Sequence, residues 1–391
     1  MSFLDELPKP FFVLAPMDDV TDSVFRQIVA DCAKPDLFMT EFVNVDGLQS
    51  PGRPKLIKKL QFTDKERPIF AQLWGLNPEN FYKTTKELIE MGFGGVDINF
   101  GCPVKKVIKS GACAALMNNR ELAGEIIDAT IEAAESMFSR HTHLDAVQGG
   151  AEDRKGDVHG STLTADRRSQ RGNAPEAAVS VGGSADEQDR AVRVSRDFPV
   201  SIKTRVGFNT TDMDWLEFLL SKKLDLLSIH GRTAKQLSKI PADWELIGQI
   251  RQMRDSLCPA TLIVGNGDVM TIKQGRELAE KYKLDGIMIG RGIFRDPFVF
   301  AENSSWSTWD KEQKIELFRK HIKLFAKTWQ HGEYKFDSLK KFAKVYINGF
   351  DGASELRAKF MTAKTPSQAI RILESVEMVG VPGLEPGTNR L

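Results

Sequence analysis

A (β/α)8 barrel followed by a small C-terminal helical domain is the fold class this chain predicts, on three observations. Eight short apolar runs alternate with helical patterns between residue 11 and about residue 300. Such alternation reads as parallel β/α units, and eight of them point to a closed barrel. Within several runs the polar residues fall on one face, as they do when one face of a strand lies under helices and the other looks into a barrel. From Trp309 onward the pattern turns purely helical.

The runs, in order, are Phe11–Ala15, Asp36–Thr40, Pro68–Leu73, Gly95–Asn99, Pro199–Arg205, Leu226–His230, Thr261–Gly265 and Gly286–Ile289. Ile272, Gly275, Ala279 and Tyr282 repeat at helical spacing between the last two. Parity sorts the side chains. Val200, Ile202 and Val206 share one face and Ser201, Lys203 and Arg205 the other; Val96 and Ile98 oppose Asp97 and Asn99; Ile69, Ala71 and Leu73 oppose Phe70 and Gln72. The last inward positions are then Gln72, Asn99, Lys203, Arg205, His230 and Asn266, at the C-terminal strand ends where barrel active sites are built.

Residues 139–197 interrupt the barrel with a stretch that lacks Phe, Trp, Tyr and Ile and is rich in Gly, Ala, Ser, Arg and Asp. It is expected to be a disordered insertion on a helix-to-strand connection, away from the active rim. The barrel is thus expected over 1–308, the helical domain over 309–376 and a loose tail over 377–391. In the helical domain Ile315, Phe318, Ile322, Phe325 and Trp329 form one apolar stripe, continued by Leu339, Phe342 and Tyr346.

Over 391 residues the formal net charge is only +1, so a general polyanion binder is excluded and any nucleic-acid contact must be local. Residues 307–376 supply such a local excess, with 14 Lys and Arg against 8 Asp and Glu. Cys32, Cys102, Cys113 and Cys258 form neither a disulfide framework nor zinc-site spacing, so no metal is expected and a reducing cytoplasm fits. No signal peptide and no membrane span are expected.

Three features carry chemistry. Gly101-Cys102-Pro103 directly follows a strand, which puts a thiol at the rim; an ordinary thiol is mostly protonated at neutral pH and can act as a general acid. Its use as a nucleophile would need a base, and the sequence leaves open whether His230 stands near enough. Lys203 and Arg205 are inward cations that need partners, either Asp97 or Glu41 or an anionic cofactor. Gly265-Asn266-Gly267-Asp268 and Gly290-Arg291-Gly292 end the last two strands, the common phosphate site of such barrels. No Rossmann or P-loop fingerprint follows a strand.

These segments, with Ala15-Pro16-Met17, Ala71–Gly75, Asp97–Pro103, Lys203–Gly207 and His230-Gly231-Arg232-Thr233, occur in the order found in the tRNA-dihydrouridine synthases, and the chain resembles that family over roughly 10–136 and 198–375. The run Gly101–Met117 is the most specific part. The resemblance implies FMN across the barrel mouth, with Pro16, Met17, Gln72, Lys203 and His230 at the ring and ribityl chain. It implies Asn266, Gly267, Asp268, Gly290 and Arg291 at the phosphate end. It further implies NADPH as reductant, Cys102 as the proton donor to C5 of a uracil, Asn99 and Arg205 facing that base, and tRNA as partner of a monomeric enzyme. Two other readings compete: a flavin barrel reducing a free small molecule, and a non-catalytic RNA-binding barrel. One departure is Asp19, where the family usually has Gly; a carboxylate there opposes an anionic ring unless it turns outward.

Overall fold

The computed structural model describes residues 2–148 and 196–375. Among the described residues there are nine strands: β1 (Phe11–Leu14), β2 (Phe38–Met39), β3 (Val43–Asn44), β4 (Ile69–Trp74), β5 (Gly95–Asn99), β6 (Val200–Arg205), β7 (Leu226–His230), β8 (Leu262–Asn266) and β9 (Gly286–Ile289). All pairings are parallel, in the order β1-β9-β8-β7-β6-β5-β4-β2. A bridge between Val13 and Leu37, with the Leu14 N–H donating to the Leu37 carbonyl at 3.1 Å, closes the ring. The eight expected runs each supply a strand of this barrel.

The second run differs in detail. Instead of one strand over 36–40, β2 and β3 both lie along β4, with Met39 opposite Phe70 and Val43 opposite Leu73. Four steps on one side match three on the other, the geometry of a bulge. Thr40 causes it: its hydroxyl takes the Gln72 N–H at 3.0 Å, a bond a continuous strand would make through its backbone, and itself donates to the Glu41 carbonyl at 2.8 Å.

Strand parity divides the interior as the sequence implies. Phe11, Val13, Leu37, Met39, Phe70, Leu226, Leu262, Val264 and Met288 form an apolar cluster inside the barrel, closed from below by Leu4. Val96, Ile98, Val200, Ile202, Leu227, Ile229, Ile263 and Ile287 belong to the larger cluster between sheet and helices. The lower interior is therefore a dry plug, and the polar inward residues are left to the upper end.

C-terminal to the barrel, the helix Lys311–Thr328 begins at Asp310, which forms a capping box with Gln313. Phe318 stacks on Tyr346 at 4.7 Å and packs on Phe360 at 4.8 Å. The expected stripe from Ile315 to Trp329, with Leu339, Phe342 and Tyr346, is buried in a cluster continuous with that of the barrel. Phe25, on the barrel helix Ser23–Cys32, joins them by stacking on Phe342 at 4.8 Å. Trp329 donates to Asp22 at 3.1 Å and Tyr334 to Glu41 at 2.6 Å. The same barrel helix carries Arg26, paired with Glu66 at 2.6 Å with both side chains fully buried.

Upstream of β6, the helix Arg120–Gln148 extends into the first residues of the segment 139–197. The rest of that expected insertion, from 149 to 195, and the tail from 377 lie outside the described residues. Among the described residues no helix is long and apolar enough to cross a membrane.

Candidate active site

Parallel register brings the polar strand ends into neighbouring rows: Gln72 beside Asp97, Asn99 beside Lys203, Arg205 beside His230, and His230 beside Asn266. Pro16, Met17, Lys203, Arg205, His230, Asn266, Gly267, Asp268, Gly290 and Arg291 all line one cavity of about 260 Å³ at this rim. Gln72, Asn99 and Cys102 do not line it; they belong to an adjoining chain of hydrogen bonds.

That chain starts at Asp97, which accepts from Ser201 Oγ at 2.6 Å and from Gln72 Nε2 at 2.7 Å. Gln72 Oε1 accepts from Asn99 Nδ2 at 2.9 Å, and Asn99 Oδ1 accepts the backbone N–H groups of Gly101 at 3.0 Å and Cys102 at 2.9 Å. Both ends of both amides are thus used within the protein. Gln72 and Asn99 hold the Cys102 loop in place, and each amide nitrogen has a second N–H beyond these bonds. Burial pushes the Asp97 carboxyl up to about 6, opposed by the Ser201 and Gln72 hydrogen bonds and by Lys203.

Cys102 is half-buried. Its thiol is pushed down to about 7, chiefly by a hydrogen bond from the Cys113 thiol; burial opposes this, while the Val104 N–H and Lys203 add to it. His230 is not among the groups acting on it. Burial instead drives the His230 imidazole pKa down, with Lys203, Arg205, Arg232 and Arg291 adding to the fall, so the ring is neutral. Arg232 Nη1 stands 3.1 Å from His230 Nε2. A guanidinium can only donate, so Nε2 accepts and the ring proton sits on Nδ1.

The cations divide into committed and free. Arg205 donates through Nε to the Gly101 carbonyl at 2.9 Å and through Nη1 to that of Thr233 at 3.1 Å, which ties it to the Cys102 loop. Arg232 and Arg291 both pair with Asp268. Against the effect of burial, the Arg232 hydrogen bond, the Ala242 N–H and Arg291 hold the Asp268 carboxyl below its usual range. Lys203 is different: its ammonium has no hydrogen-bond or ion-pair partner among the described residues, although it lines the cavity. Burial pulls it down to about 8, Arg205 adds to the fall, and Asp97 opposes it. Asp97 and Glu41, the partners weighed from sequence, are engaged elsewhere, the first by Ser201 and Gln72 and the second by Tyr334 and the Asp19 N–H.

The glycine loops keep the cavity open. Gly267 has φ +135°, and a Cβ there would lie 2.4 Å from the Ala242 Cβ and 3.4 Å from the His230 ring. Gly290 borders the cavity with its nearest obstacle, the Ala15 Cβ, at 3.5 Å. A free ammonium, an acid whose charge two arginines balance, and bare backbone together suit an anionic ligand. Asp19, the departure from the expected pattern, adopts φ +58°, a left-handed conformation that glycine enters without strain, and its side chain is exposed.

Sequence reasoning passed over Cys113 and Arg232 as working parts, and weighed Asp97 only as a partner for the inward cations. Cys113 lies inside the most specific run, and the positive φ values of Gly111 (+86°) and Cys113 (+53°) fold that run back so that the two thiols meet. Its only signal was the glycine two residues earlier.

A family model described as dihydrouridine synthase matches residues 13–144 and 187–379. A probable tRNA-dihydrouridine synthase of Staphylococcus aureus (strain COL) is 37% identical over 379 residues, covering 96% of this chain and 96% of that protein. Probable tRNA-dihydrouridine synthase 2 of Bacillus subtilis (strain 168) is 35% identical over 387 residues, covering 98% of this chain and 99% of its own length. With the model spanning both halves of the barrel and the C-terminal helices, and with relatives alike from end to end, this chain belongs to the dihydrouridine synthase family.

Proposed function

We propose that this protein reduces the C5=C6 bond of uridines in tRNA, with NADPH as the source of electrons, FMN in the rim cavity and Cys102 as proton donor. The observation that carries the reading is the free Lys203 ammonium in a cavity edged by the Gly267 and Gly290 loops, with the Cys102 thiol on the adjoining strand end. FMN, when bound, supplies the two-electron carrier between a nicotinamide and the uracil C6. Lys203 would face the electron-rich edge of the ring and offset its negative charge. Arg291 and the backbone at Gly267 and Gly290 would hold the phosphate. Neutral His230 would present a hydrogen-bonding edge without adding charge.

Cys102 would deliver its proton to C5, and Asn99, Gln72 and Arg205 would fix the loop that carries it. A target base has to leave its stack to reach a rim cavity. The excess of cations over residues 307–376 would hold the RNA backbone through phosphate contacts. A helical region of this kind has no use in an enzyme that reduces a free nucleoside, which is why tRNA is favoured over a small-molecule substrate.

The test is activity of purified protein on unmodified tRNA and on free uridine, followed by mass-spectrometric mapping of dihydrouridine. Product in tRNA is expected; turnover of the free nucleoside alone would remove the tRNA assignment. A second expected result concerns the cradle. Gly267→Ala forces a Cβ against Ala242 in a backbone conformation that costs on the order of 1–3 kcal/mol. The variant should purify with a lower flavin-to-protein ratio and a lower melting temperature, both read by absorbance and thermal denaturation.

A further inference from the structure

We propose that the crease between the barrel rim and the C-terminal helices binds the adenosine 2′-phosphate end of NADPH, with Arg295 and Lys344 as the residues that distinguish NADPH from NADH. The proposal rests on the flavin and reductant reading above. The crease is a cavity of about 540 Å³. It shares Met270 and Arg291 with the rim cavity, so one extended ligand can reach from one to the other.

Its ionisable lining is all of one sign: Arg291 and Arg295 from the barrel, Lys341 and Lys344 from the C-terminal helices, with no carboxylate. Two of the four are committed, Arg291 to Asp268 and Lys341 to the Asp19 carbonyl. Arg295 and Lys344 are exposed and have no ion-pair partner among the described residues. Like charges brought together from two parts of the chain repel unless an anion lies between them. A guanidinium fork and a mobile ammonium together match a dianionic phosphate.

The floor of the crease argues for a nucleoside attached to that phosphate. Phe294 is half-buried beside the stacked Phe25–Phe342 pair, 6.4 Å from Phe25 and 6.3 Å from Phe342, and with Met270 it offers an apolar surface for a purine. An RNA backbone passing over the lip would need the cations and not the floor. The adenosine end of NADPH needs both, whereas NADH carries a neutral hydroxyl where the cations require a phosphate.

The test uses the full-length, flavin-loaded protein and the variants Arg295→Ala, Lys344→Ala and the double substitution. Both side chains are exposed, and an unchanged melting temperature checks the fold. Flavin reduction is followed by stopped flow without RNA. In the double variant the NADPH concentration for half-maximal rate should rise about 10–100-fold, the scale of lost charge-assisted hydrogen bonds. The value for NADH should change less than about twofold, and the limiting rate should hold. Adenosine 2′,5′-bisphosphate, titrated calorimetrically, should bind the parent protein and fail to bind the double variant; adenosine 5′-monophosphate should not discriminate between them. An unchanged NADPH-to-NADH ratio in the double variant overturns the proposal, and does so equally if tRNA binding is what weakens. Failure of NADPH to reduce the parent protein's flavin would instead overturn the reductant reading, and the calorimetric result would still decide the crease.

Discussion

Cys102→Ala should keep its yellow cofactor and its rate of flavin reduction by NADPH, yet lose tRNA-dependent flavin reoxidation by about 10²–10⁴-fold, the contribution of a positioned general acid. The separation is expected because Cys102 does not line the rim cavity, while its backbone is fixed by Asn99 and its loop by Arg205. Removing Sγ deletes the proton donor and leaves the cradle intact. Full reoxidation activity in the variant would refute the assignment.

The pH dependence discriminates further. The Cys102 thiol is lowered to about 7, and the protonated form is the one that can donate. Single-turnover reoxidation should therefore be full well below pH 7 and fall as pH rises through it. A nucleophilic thiolate would give the opposite slope over the same range. Because the hydrogen bond from Cys113 is the largest influence lowering this group, Cys113→Ala should raise the Cys102 pKa and carry the falling limb to higher pH. A limb that stays in place would show that the neighbouring thiol does not set it.

Strand positions were legible in the sequence because a barrel strand is buried on both faces, so its run is apolar and short. The exception is instructive. The second strand was read as one run, but its break depends on the Thr40 hydroxyl substituting for a backbone group opposite Gln72, a partnership 32 residues away in sequence that no local pattern encodes. The cavity residues were legible for a related reason: parity and strand-end position locate a side chain on the rim. Parity does not say what the side chain does there. Gln72 and Asn99 point inward as expected, yet they spend their amides on Asp97, on each other and on the Cys102 loop. Arg232 lies just beyond a strand end, outside the parity argument, and its value comes from Asp268 on the next strand loop and from fixing the His230 tautomer.

Glu66→Ala is expected to destabilise the protein by about 3–5 kcal/mol, since it leaves the Arg26 guanidinium charged and buried without its partner. The loss has a wide reach because Glu66 also accepts from Ser23 Oγ and from the Thr63 N–H, and Arg26 donates to the Gln61 carbonyl. These bonds clamp the helix Ser23–Cys32 to the loop before β4. That helix also carries Phe25, on which Phe342 stacks, and it is preceded by Asp22, which accepts from Trp329. Loosening it should weaken the seat of the C-terminal helices along with the barrel. Chemical denaturation should show a lowered midpoint, and limited proteolysis should cut the Glu66→Ala chain faster near residues 329–342. Replacing both partners with apolar residues, Arg26→Met with Glu66→Leu, should recover much of the loss, because no charge is then left buried alone. If the double substitution is no more stable than Glu66→Ala, hydrogen bonding to Ser23 and Thr63 is the larger part of what Glu66 does, and the ion pair is secondary.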